Sequence, residues 1–376
     1  MSAITAKKAK GETVKWKGLG LGLFFNILVC NVFICSVFSY IGQLAMPSKK
    51  VMQFGRFIQA KLFSGPGGWI TYRAITSIKY MGMPAEVRHL SDMCRASMAR
   101  IYIKSSLGLN ELSVAESLAF QGWKDDRRCS VSFGHWHSGA FVSNICGNKV
   151  TLCISNLWDK IETCNNGQDR KSIQKRAYLL IRNSNYSSAA LFEFVRSRLE
   201  VWKLDVPIGL LTSRCQNRCQ TITSLCKPAI FSAVLRTWLN GWATHERMKH
   251  LVGFQCGDNS KCIFCGKGSD NLKHFAHCDV IVAFLGMHYV ECKHENKLLW
   301  FLLLESNATD IANRARLIAA IHAARMIAYS SLQPSIMDLL HQMAKHYGVS
   351  RPHRSFRLQV DGQGFPLGLF DEINCQ

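Results

Sequence analysis

GLGLGLFFNILVCNVFICSVFSYIGQLAMP, residues 18–47, holds no charged side chain, and its reading decides whether the chain crosses a membrane or folds around a buried helix. Thirty-one uncharged residues separate Lys17 from Lys49, against the roughly 20 that a helical span needs. Polar groups argue the other way. Asn26, Asn31, Ser36, Ser39, Tyr40 and Gln43 are spread around the helix rather than gathered into one packing stripe, so in a bilayer some would face lipid. Basic residues flank both ends and give only a weak orientation signal. The stretch is too long for a signal-peptide core and ends at Met46-Pro47 without a small-x-small cleavage pattern. A buried helix is the reading adopted; a single-pass span over residues 18–47 is the alternative.

Outward from this stretch the chain is basic. Residues 1–15 form a basic tail, and Lys49, Lys50, Arg56 and Lys61 follow on the other side. Over all 376 residues, 46 Lys and Arg stand against 25 Asp and Glu, a formal charge of +21. Such an excess implies a polyanionic partner, either nucleic acid or an anionic membrane surface. A hydrophobic fraction of 48% argues against a disordered chain, and the length suffices for two modest domains. The sixteen cysteines are scattered and no secretory signal precedes them. They are expected to be reduced, which places the protein inside the cell, in nucleus or cytoplasm.

Periodicity predicts helices elsewhere. Apolar positions recur at three and four residues from Ile70 to about Leu107, interrupted at Met83-Pro84. Lys171 to Lys203 shows the same pattern, and Ser224 to Gly241 is a helix with Pro228 in its first turn, where proline is tolerated. Within the span from about residue 110 to 205, residues 127–160 are rich in Gly, Ser, Asn and β-branched residues and read as loops or a short hairpin. KHYGVSRPHRSFR, residues 345–357, reads as part of a basic C-terminal tail.

The most specific motif is CIFCGKGSDNLKHFAHC, residues 262–278. Cys262 and Cys265 form a C-x2-C pair; His274 and Cys278 follow at helical spacing after a loop with two glycines. Two close pairs of borderline-soft donors are what a closed tetrahedral zinc site requires, with His277 and Cys256 as alternative ligands. His274 and Cys278 are expected on one face of one helix. Four protein ligands leave no open position, so the zinc is structural rather than catalytic.

The run from Leu235 to Cys278 resembles the zinc-binding segment after the polymerase core in non-LTR retrotransposon reverse transcriptases. The likeness lies in Leu239-Asn240-Gly241-Trp242, then C-x2-C-G, then Asp270-Asn271-Leu272, then His and Cys. Trp16-Lys17, Phe25-Asn26, the run from Val37 to Ile41, Gln43-Leu44 and Pro47 are similar to the thumb helices of that family. Gly65 to Trp69, the Met81-Gly82-Met83-Pro84 turn and RARLIAAIHAARMIAYSS, residues 314–331, add to it. The resemblance covers about residues 16–105 and 225–335. It implies a thumb that grips a template duplex and a zinc module that helps hold template RNA.

The polymerase chemistry is missing. Asp125 and Asp126 are the only adjacent aspartates, flanked by Lys124, Arg127 and Arg128 rather than by the apolar strands that would seat two metal ions. His135 and His137 form a His-x-His pair for which no further ligand is placed nearby.

The expectation is therefore a mainly α protein. A basic tail (1–15) leads into a thumb-like helical region (16–107), then a connector (108–223), a zinc-binding module with flanking helices (224–335) and a basic C-terminal tail (336–376). Its expected role is non-catalytic binding of RNA or DNA, with other retrotransposon proteins as further partners. Lys49, Lys50, Arg56, Lys61, Arg236, Arg247, Lys249 and Lys273 are the expected phosphate contacts, with Trp238, Trp242 and Phe275 as candidates for base stacking. A membrane protein with a basic tail, and a decayed transposon product, are the alternatives.

Overall fold

The computed structural model describes residues 3–17, 22–42, 53, 57–58, 61–63, 68–104, 173–185, 188–249, 260–288, 296–306, 310–328, 335–349, 356–360 and 366–371. Asp125, Asp126, His135 and His137 lie outside them. The chain is mainly helical.

Helix α1 (Ala3–Lys17) occupies what reads in sequence as a basic tail. The difference has a cause: Ala9 and Thr13, both 0% exposed, are small enough to lie against the fold, and Trp16 stacks on Phe33 at 4.6 Å. The uncharged stretch then forms α2 (Gly22–Val29), a π-helical turn (Cys30–Cys35) and α3 (Ser36–Gly42). Its buried face is Leu23, Ile27, Cys30, Ile34, Cys35 and Phe38. Several of its polar groups bond to the fold. Asn26 Nδ2 donates to Leu62 O at 2.7 Å, Asn31 Nδ2 to Glu86 O at 2.7 Å, and Ser39 shares a polar cluster with Ser97 and Gln174.

Next come α4 (Tyr72–Ile75), a 3-10 turn (Ile78–Met81), α5 (Leu90–Lys104), α6 (Ile173–Asn185), α7 (Ser188–Glu200), α8 (Ile208–Leu225) and α9 (Pro228–Trp238). Pro228 opens α9, where a missing N–H costs nothing. The C-terminal part comprises α10 (His245–Met248), α11 (Leu272–Phe275), α12 (Asp279–Met287), α13 (Lys297–Phe301), α14 (Ile311–Ala328) and α15 (Ile336–His346). An antiparallel hairpin of β1 (Phe356–Val360) and β2 (Pro366–Asp371) ends it. Residues 336–376 are thus not simply a tail: Met337, Leu339, Leu340 and Ala344 give α15 an apolar face that packs on α14.

One core runs through the molecule. α5 lies against α3 and α6, α7 against α8, and α9 against both α2 and α14. Trp69, Trp238 and Trp242 are each at most 1% exposed. Each ring removes roughly 200 Å² from water, on the order of 5 kcal/mol before ordering entropy is subtracted. The indole N–H groups are satisfied: Trp69 donates to Phe63 O at 2.9 Å, Trp202 to Trp238 O at 2.9 Å and Trp238 to Leu302 O at 2.6 Å.

Candidate metal centre

Cys262 and Cys265 sit on a tight knuckle. Lys261 and Ser269 pair as an isolated antiparallel bridge, Gly268 O accepts from Cys262 N at 3.0 Å, and Gly266 N donates to Cys262 O at 2.8 Å. Gly266 (φ 66°) and Gly268 (φ 58°) take left-handed backbone that other residues resist. Lys267 N points at Cys265 Sγ from 3.4 Å, the orientation a thiolate favours.

His274 is placed by α11. Asn271 caps that helix by accepting from His274 N at 2.8 Å. Cys278 is not on the same helix, contrary to the i, i+4 expectation. His277 N bonds His274 O at 2.8 Å and ends the turn, so Cys278 becomes the N-cap residue of α12. A thiolate there lies at the positive end of the helix dipole.

The four donor atoms all lie within 4.8 Å of one another, and this group could hold a metal ion. Cys262 Sγ and Cys278 Sγ are 3.9 Å apart, and Cys265 Sγ is 3.3 Å from His274 Nε2. A tetrahedron with metal–sulfur bonds of about 2.3 Å has edges of about 3.8 Å, so the spacing fits. Cys262, Cys265 and Cys278 are buried. Bonds from the Cys262 and Cys278 thiols, helped by Lys267 N–H and His274, hold the Cys265 thiol well below its ordinary value. Its two neighbours are pushed up: Cys262 first by its bond with Cys265, and Cys278 by its bond to Cys265 and by burial, against the lowering effect of Cys262. A metal cation binds such sulfurs as thiolates, so binding releases their protons. His277 is exposed with Nδ1 3.0 Å from Lys273 O and takes no part; Cys256 lies outside the described residues.

Asp270 fastens this module to the rest. It is 0% exposed and pairs with Arg325 of α14 at 2.7 Å, while its Oδ2 accepts from His245 N at 2.6 Å and so caps α10. Arg325 also donates to Ala243 O at 2.8 Å. Phe275 and Trp242 pack together, with ring centroids 5.8 Å apart, and Trp242 meets the His322 ring of α14 edge-on at 4.8 Å. Burial, then the charges of Arg236 and Arg325, pushes His322 down to about 3.

The expected phosphate contacts fare unequally. Lys61, Lys249 and Lys273 are exposed, Lys249 in a 2.6 Å pair with Glu246, and Arg247 is partly exposed. Lys49, Lys50 and Arg56 lie outside the described residues. Arg236 is partly buried: it stacks over Trp69 at 4.3 Å, and burial pushes its pKa down to about 10. Trp238, Trp242 and Phe275, each 0% exposed, are core residues rather than stacking platforms. No known family, curated protein or solved structure matches the chain.

Proposed function

We propose that this chain is a non-catalytic nucleic-acid-binding piece of a non-LTR retrotransposon reverse transcriptase, built around a structural zinc ion. The observation that carries the reading is the closed set of Cys262, Cys265, His274 and Cys278, converging within 4.8 Å in a chain of charge +21. Three thiolates and an imidazole suit zinc, and four protein ligands leave no open position for catalysis. The metal's role is to hold the knuckle, α11 and the start of α12 together; the phosphate contacts belong to arginines and lysines. Elemental analysis of the purified full chain is expected to give about one zinc per chain. Anisotropy of a labelled oligouridylate is expected to show binding that weakens linearly in log affinity with log salt. Metal-free protein that folds fully in chelator, or no binding at about 50 mM salt, would defeat the reading.

A second reading has one observation behind it. The 18 residues Gly22–Ser39 are long and apolar enough to span a bilayer and only 39% of them are buried, with Phe25, Leu28 and Val32 exposed along one side. Asn26, Asn31 and Ser39 bonding into the fold weigh against it. Retention in the membrane pellet after an alkaline carbonate wash would favour it.

A further inference from the structure

Helices α8 and α14 pack together, and neither contains an acidic residue. Three partly exposed arginines lie along their junction. Arg214 of α8 donates from Nη1 to Leu304 O at 2.7 Å, and Arg218, one helical turn on, donates from Nη2 to Glu305 O at 3.3 Å. Because those carbonyls are consecutive, the two guanidinium groups sit over the same turn of chain. Arg316 of α14 donates from Nη2 to Leu225 O at 3.4 Å, at the far end of α8. None of the three forms an ion pair among the described residues. Glu305, the carboxylate at that turn, is 4% exposed and already engaged by Arg314.

A neutral carbonyl fixes where a guanidinium sits without cancelling its charge, and each of these bonds occupies only part of the fork. The remaining N–H groups match phosphate oxygens. From Arg214 to Arg218 the rise along α8 is about 6 Å, and from Arg218 to Leu225 about 10 Å, so the charges are strung along the helix. Such a row suits a strand charged at every unit better than one small anion. Exposed Asn217, Gln220 and Ser224 add uncharged hydrogen-bonding groups to the same helix. We infer that Arg214, Arg218 and Arg316 contact backbone phosphates of a single-stranded polynucleotide lying along α8. The inference rests on the nucleic-acid reading above and assigns the strand its place on the molecule. Sequence alone does not mark these arginines, because what leaves them charged is the carbonyl that each finds in the fold.

The test uses the full chain, a fluorescein-labelled oligouridylate and a salt titration, at a temperature where circular dichroism shows every variant folded. Glutamine keeps an N–H for the carbonyl and removes the charge. Arg214→Gln with Arg218→Gln is expected to lower the slope of log affinity against log salt by about 1.4, and Arg316→Gln by about 0.7, the share of one phosphate contact on a single strand. Arg214→Lys with Arg218→Lys keeps the charge and is expected to keep the slope. Arg196→Gln is the control, because Arg196 is already paired with Glu200 at 3.4 Å, and it also keeps the wild-type slope. Wild-type binding with unchanged slopes in the glutamine variants would overturn the inference and leave the nucleic-acid reading standing. An equal fall in the lysine variant or in Arg196→Gln would also overturn it, by showing that the loss follows packing or net charge rather than these contacts. Sedimentation with phosphatidylserine vesicles that depends on these arginines, when oligouridylate binding does not, would overturn it in favour of a membrane surface. Absence of wild-type binding to the oligouridylate would remove both the inference and the reading it rests on.

Discussion

Gly268 holds φ at +58°, and a Cβ on it would lie 2.6 Å from Cε1 and Nδ1 of His274. Gly268→Ala is expected to displace the imidazole and to weaken metal retention in competition with a chromogenic chelator. The left-handed backbone alone adds about 1–2 kcal/mol of strain to the folded state. His322 gives a pH signature. Its folded pKa of about 3 lies below the ordinary value of 6.5, so below pH 6.5 the unfolded chain takes up a proton that the native one refuses. Stability from this group is complete above pH 6.5 and is lost as pH falls toward 3, with a slope of at most about 1.4 kcal/mol per pH unit. Denaturant melts of wild type and His322→Gln across that window are expected to show a shallower acid loss in the variant. At this scale the four residues that converge as candidate metal ligands were legible, because chemistry fixes their type and spacing. The burial of Arg236 was not, since it depends on a partner, Trp69, that is 167 residues away.

Elements with a strong apolar period were readable, and α9 begins at the proline that sequence placed in its first turn. α1 was not, because it has no apolar stripe of its own and is held through Ala9, Thr13 and Trp16. The break between α11 and α12 was missed because His274 and Cys278 satisfy helical spacing even though the turn at His277 separates them. The α2 to α3 segment allows a sharp comparison. Ile34 is 0% exposed, whereas Phe33, which sequence alone offers as an equal core position, is 43% exposed. Ile34→Asp is expected to lose several kcal/mol through an unpaired buried carboxylate, and Phe33→Asp to lose clearly less in urea melts, because a 43% exposed position gives up little beyond its stack on Trp16. Equal losses at both positions would indicate an apolar environment on every side, as in a bilayer. Between elements, Arg325→Met strands Asp270 without its cation inside the fold. A loss of about 3–5 kcal/mol is expected, together with weaker metal binding because Asp270 precedes the cap that positions His274. Asp270→Asn combined with Arg325→Met should recover part of it.

For the whole molecule, the buried cluster joins residues from Ala9 to Val349, including Ile222 and Ile230 on either side of the division expected near residue 224. Chelation is therefore expected to lower one cooperative melting transition of the full chain rather than split off a separate one, and calorimetry with and without a zinc chelator checks this. The contact between Trp69 and Gly241 carries a consequence for how the protein is made. The two residues are 172 positions apart, and at about 5–20 residues per second the ribosome needs roughly 10–35 s to deliver the second after the first. Throughout that interval the nascent N-terminal helices present an uncovered indole, and Trp202 waits likewise for the Trp238 carbonyl. Birth of this protein is thus a period of waiting, in which the pocket around Trp69 closes only once its distant partner has been made.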